Sequence, residues 1–104
     1  MIQATDTDFQ NQIGQKGVTL VEFGATWCPP CKTLLPILEE ISHELEGQVN
    51  VIQLDVDESP AVTATYGVMS MPTVILFKDG QPMEKLVGLR SKMTYLNLLN
   101  KLLS

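Results

Sequence analysis

Residues 18–45 read VTLVEFGATWCPPCKTLLPILEEISHEL, and three signals follow one another within them. Val18 to Phe23 is a nearly continuous run of apolar, β-favouring residues interrupted by Glu22, the pattern of a central strand covered on both faces. Leu34, Leu38, Ile41 and Leu45 then recur at helical spacing, with Glu39, Glu40 and Glu44 off that face, so a helix of several turns follows. Between the two lies Trp27-Cys28-Pro29-Pro30-Cys31, which carries both cysteines of the chain at the strand-to-helix junction. Two thiols that close can form a disulfide with each other. The helix N-terminus beside Cys28 offers unpaired N–H groups and the positive end of a dipole, which favour a thiolate over a thiol. That is the chemistry of dithiol–disulfide exchange.

The rest of the chain supplies a sheet and helices around this junction. Ile2 to Ala4 reads as a short edge strand, and Thr5 or Asp6 as the cap of a helix carrying Phe9 and Ile13, with Gly14 and Gly17 at its exit. Pro36 falls inside the long helix and predicts a kink one turn past the cysteines; Gly47 closes that helix. Val49 to Val56 reads as a second central strand. Ser59-Pro60 is a helix start with Ser as cap, and Gly67 a stop. Pro72 to Phe77 is a third strand, and Asp79-Gly80 a hairpin turn into a fourth around Met83 to Val87. Ser91 caps a last helix whose buried stripe is Met93, Leu96, Leu99 and Leu103. The order β-α-β-α-β-α-β-β-α predicts an α/β fold: a mixed sheet of four to five strands with helices on both faces.

Composition narrows the function. The 104 residues fit one compact domain, 1–104, with a single core, and the formal net charge of −5 without a basic cluster argues against nucleic acid as a partner. No stretch is long and apolar enough to span a bilayer, and the first twenty residues lack a basic start followed by an apolar run. Taken as a complete chain, the sequence is expected in the cytoplasm, where a lone CxxC is catalytic or metal-binding more often than a structural staple. Zinc needs about four protein ligands, and this chain has two cysteines and one histidine, His43, more than three turns along the helix from Cys31. No metal site is expected. A purely structural disulfide closing so short a loop stabilises little.

Val21-Glu22-Phe23, Trp27 to Lys32, Pro36-Ile37-Leu38, Tyr66-Gly67-Val68, Met71-Pro72-Thr73 and Phe77 to Gly80 resemble the thioredoxin family in order and spacing, over essentially the whole chain. The resemblance implies the thioredoxin fold and a general protein-disulfide reductase, a thiol-disulfide oxidoreductase with a WCPPC redox-active center. It implies that Cys28 is the exposed attacking cysteine and Cys31 the resolving one, that Pro72 is a cis proline exposing the backbone of Met71 to an extended target, and that Glu22 stands where the family usually has an aspartate that accepts the Cys31 proton. Trp27, Met71, Pro72 and Gly88 would form the ground on which targets dock, with Met69 either there or in ordinary packing. Lys32 and Arg90 would bias target choice by charge or simply be solvated. No tightly bound cofactor is implied. Electrons would come from NADPH through thioredoxin reductase, and targets would include peroxiredoxin, methionine sulfoxide reductase and ribonucleotide reductase, with the protein acting as a monomer.

Three positions depart from the family pattern. Pro29 replaces the usual glycine, so with Pro30 it removes two backbone donors near the Cys28 sulfur and leaves the N–H groups of Cys31 and Lys32. Gln53 stands where a lysine is frequent, which removes a cation near Glu22 and predicts a raised carboxyl pKa. Gly24 replaces a frequent aromatic residue. These departures keep open a specialised oxidoreductase with a dedicated target; the other alternative is a thioredoxin-fold binding module in which the cysteines are incidental, against which the intact CxxC and Pro72 argue.

Overall fold

A computed structural model describes residues 1–14 and 16–104 of the chain. Among the described residues the elements are β1 (Ile2–Ala4), α1 (Phe9–Ile13), β2 (Val18–Gly24), α2 (Pro29–Glu44), β3 (Val49–Asp55), α3 (Pro60–Thr65), β4 (Thr73–Lys78), β5 (Gln81–Val87) and α4 (Lys92–Leu103). The five strands form one mixed sheet in the order β1-β3-β2-β4-β5. β3 runs parallel to both β1 and β2, whereas β4 is antiparallel to β2 and β5.

β2 is the central strand, and every one of its residues is buried. Its alternate side chains feed two layers. Val21 and Phe23 pack with Phe9 and Ile13 of α1 and Val62 of α3 on one face. Val18 and Leu20 pack with Leu34, Leu38 and Ile41 of α2 and Tyr95 and Leu99 of α4 on the other. The helical stripe read from the sequence is therefore the one that meets the sheet. Pro36 lies inside α2, which continues through it to Glu44.

Asp79 and Gly80 carry φ of 51° and 83°, the paired positive values that a tight hairpin requires and that an Asp-Gly pair tolerates. Ser91 caps α4 by accepting the Thr94 N–H at 3.2 Å.

Three expected details are corrected. α1 begins after a turn, with Asp8 at its N-cap position, and neither Thr5 nor Asp6 caps it; the Asp8 carboxylate instead accepts the Thr5 N–H at 2.8 Å. Asp6 caps α3 from across the fold, accepting the N–H groups of Ala61 at 3.1 Å and Val62 at 2.9 Å. Those donors are the helix's otherwise unpaired first-turn amides, and Ser59, fully buried, makes no cap bond of its own. Met93 is 62% exposed, because α4 turns Tyr95 and Leu99 inward and Met93 lies off that face.

Candidate active site

Cys28 is the N-cap residue of α2, and Pro29 and Pro30 open the helix, where a missing N–H breaks no intrahelical bond. The chain leaves β2 at Gly24, turns through Ala25 to Trp27 and delivers Cys28 to the helix start with extended backbone. The next turn returns Cys31 beside it. The two sulfurs are bonded in a disulfide, with a Cα–Cα separation of 5.3 Å. The Cys31 N–H donates to the Cys28 Sγ at 3.3 Å. The Lys32 N–H does not join it; it donates to the Cys28 carbonyl oxygen at 3.3 Å. With prolines at 29 and 30, the sulfur keeps one of the two backbone donors that the sequence reading assigned to it.

Cys28 is not exposed in this oxidised state. It is 4% accessible, the same as Cys31, because the bonded pair packs into the core cluster with Ala25, Val56 and Val68. Met71 covers part of that cluster. The Met71–Pro72 peptide is cis, and Pro72 is buried immediately before β4. The Pro72 carbonyl oxygen accepts the Gly88 N–H at 2.8 Å, which joins two of the expected docking residues directly. Gly88 has φ of 88°, in the left-handed region that favours glycine, and a Cβ there would meet open space. Trp27 is 60% exposed, and its indole N–H donates to Asp57 at 2.7 Å. Met69 is almost fully exposed and does not belong to the core.

Glu22 sits in the middle of β2 at 1% accessibility, and neither carboxylate oxygen has a hydrogen-bond partner among the described residues. Burial, helped by the negative charge of Asp55, pushes its pKa from 4.5 up to about 7. The Glu22 side chain therefore lies inside the fold and does not turn out to solvent. Gln53 pairs with Glu22 across the parallel register, and Gly24 pairs with Asp55. A cavity of about 730 Å³ brings Glu22, Cys31, Gln53 and Asp55 to one space, with Lys32 on its wall. Glu22 and Cys31 therefore line one cavity.

Two site residues were not singled out from the sequence. Asp55 follows from the β period: it lies two residues beyond Gln53, hence on the same side of β3. Asp57 lies in the turn after β3 and carries no local signal for its bond to Trp27, thirty residues away. Among the described residues, no group of three or more His, Cys, Asp or Glu is placed to hold a metal ion. Nor is any helix long and apolar enough to cross a membrane.

A family model described as Thioredoxin matches residues 1–101. The chain belongs to the thioredoxin family. Thioredoxins from Staphylococcus aureus strains Mu50, MW2 and USA300 are each 48% identical to it over 101 residues, covering 97% of this chain and 96% of theirs. The thioredoxin fold, with its five-stranded mixed sheet between helices, is the one described above. Thioredoxins act as thiol-disulfide oxidoreductases, and in this member the redox pair is Cys28 and Cys31, already joined. Dithiol–disulfide exchange needs no tightly bound cofactor; it needs disulfide-bearing targets and a reductase that restores the dithiol.

Proposed function

We propose that this thioredoxin is a general protein-disulfide reductase in which Cys28 attacks and Cys31 resolves. In the reduced protein the Cys28 thiolate attacks one sulfur of a target disulfide, forming a mixed disulfide and releasing the other target sulfur as a thiolate. Cys31 then gives its proton to Glu22 and attacks the Cys28 sulfur. The Cys28–target bond breaks, the second target sulfur leaves as a thiolate, and the Cys28–Cys31 disulfide remains. Two electrons have passed to the target.

The observation that carries the assignment is the asymmetry at the helix start. The Cys28 Sγ accepts the Cys31 N–H, at the end of α2 where negative charge is favoured. Cys31 is one turn inside the helix and shares its cavity with Glu22. A carboxyl group whose pKa is about 7 is half ionised near neutrality, so it can take a thiol proton and give it up again. Trp27, Met71, Pro72 and Gly88 form the docking ground, with the Met71 backbone receiving an extended target segment as an added strand.

The remaining assignments follow the family. Electrons come from NADPH through thioredoxin reductase, and the targets include peroxiredoxin, methionine sulfoxide reductase and ribonucleotide reductase. The chain works in the cytoplasm as a monomeric single domain, 1–104. The test is NADPH consumption with thioredoxin reductase and a disulfide substrate, run on the parent and on Cys28→Ser. Turnover by the parent and none by the variant is expected. Turnover with a chemical dithiol but not with the reductase would favour a specialised oxidoreductase, and no turnover with either would favour a binding module.

A further inference from the structure

Gly24 has no backbone reason to be glycine. It lies inside β2, where a glycine weakens the strand, and its φ is not in the left-handed region that other residues avoid. Its explanation is two residues away. Glu22 and Gly24 point to the same side of the sheet, and the Glu22 side chain bends back over the Gly24 Cα. A Cβ at position 24 would overlap Glu22 Oε2 and stand 3.0 Å from Cδ and 3.2 Å from Oε1, all inside normal contact distance. Neither oxygen has a hydrogen-bond partner among the described residues, so no hydrogen bond there fixes the conformer of the carboxylate.

We propose that Gly24 is a positioning residue for Glu22: by carrying no side chain, it lets the longer carboxylate fold back along β2 and stay on the wall of the cavity that reaches Cys31. The functional weight of this rests on Glu22 as proton acceptor, while the placement itself does not. The charged and titratable groups around the carboxylate are Asp55 on β3, Glu58 in the turn after it, Lys32 on α2 and Tyr95 on α4. A methyl group at 24 pushes the carboxylate off the strand into the cavity, away from its buried seat. The burial that raises its pKa is then relieved, and its titration midpoint falls from about 7 toward the ordinary carboxylate range.

The experiment follows the carboxyl of residue 22 by carbon-detected NMR against pH, beside single-turnover reduction of a protein disulfide, in the parent, Gly24→Ala, Glu22→Asp and Glu22→Asp/Gly24→Ala. In Gly24→Ala the midpoint is expected to fall by about one pH unit or more, and resolution at neutral pH to slow about tenfold, a partial loss of the roughly hundredfold or more that positioned proton transfer contributes. In the Glu22→Asp background the shorter side chain does not reach over residue 24, so adding Gly24→Ala changes the rate less than about twofold and the midpoint less than about 0.3 pH unit. A midpoint unmoved by Gly24→Ala, or an equal change in both backgrounds, would overturn the proposal. A shifted midpoint with an unchanged rate supports the placement and removes Glu22 from the proton path, so the two ideas fail separately. Should Gly24→Ala not fold, recovery of folding in the double variant supports the overlap, and persistent unfolding overturns it.

Discussion

Replacing Glu22 by Gln removes a titration and leaves the shape of the side chain nearly intact, so its effect on stability can be worked out from the buried carboxyl. In the unfolded chain Glu22 loses its proton near 4.5; in the fold it keeps the proton up to about 7. Between those values the folded state binds more protons than the unfolded one, so stability falls as pH rises and levels off above about 7. At 1.36 kcal/mol per pH unit over that window, the cost at alkaline pH is about 3 kcal/mol. A neutral amide at position 22 does not pay it. Urea unfolding of the oxidised parent and of Glu22→Gln at about pH 4, 6 and 8 is the assay, and the comparison cancels the titrations the two proteins share. The advantage of the variant is expected to grow by about 3 kcal/mol across the series, a melting temperature higher by on the order of 10 °C or more at the alkaline end. A constant difference at all three pH values would refute the buried, high-pKa carboxylate and with it the proton-acceptor role.

Three further outcomes are expected. Asp6→Ala leaves the first-turn amides of α3 unpaired and lowers stability by about 1–2 kcal/mol in urea unfolding, whereas Asp8→Ala, whose one bond is on the exposed surface, costs less. Pro29→Gly restores an N–H beside Cys28; one added hydrogen bond of about 1 kcal/mol to the thiolate favours the reduced form and makes the potential less negative by about 20 mV, read by equilibration with glutathione. Asp57→Ala frees the Trp27 indole, changes the tryptophan fluorescence and slows target reduction about fivefold, the loss of about 1 kcal/mol of placement.

Local signals were readable: the Asp79-Gly80 turn, the Ser91 cap, the Leu34-Leu38-Ile41 face and the Cys28-to-Cys31 spacing each depend on neighbours within a few positions. Glu22 could be singled out because a carboxylate inside an apolar strand is itself anomalous. What escaped depends on long-range placement. Asp6 meets α3 more than fifty residues away, and no local pattern distinguishes that cap from one for its own helix. Met93 sits on a helical period that both a buried and an exposed face satisfy, and the choice was made by where α4 rests on α2 and β2. Gly24 read as a missing aromatic residue, although its use lies in the conformer of Glu22, which a sequence does not specify.

The central claim is an order of events at two sulfurs, and trapping tests it most directly. Cys31→Ser and Cys28→Ser, each reduced, are mixed with a disulfide-bearing protein, and the products are separated without reductant and mapped by mass spectrometry. Cys31→Ser is expected to accumulate a mixed disulfide through Cys28, because the resolving thiol is gone, while Cys28→Ser accumulates little. A Cys28→Ser variant that captures the target through Cys31 as readily would contradict it.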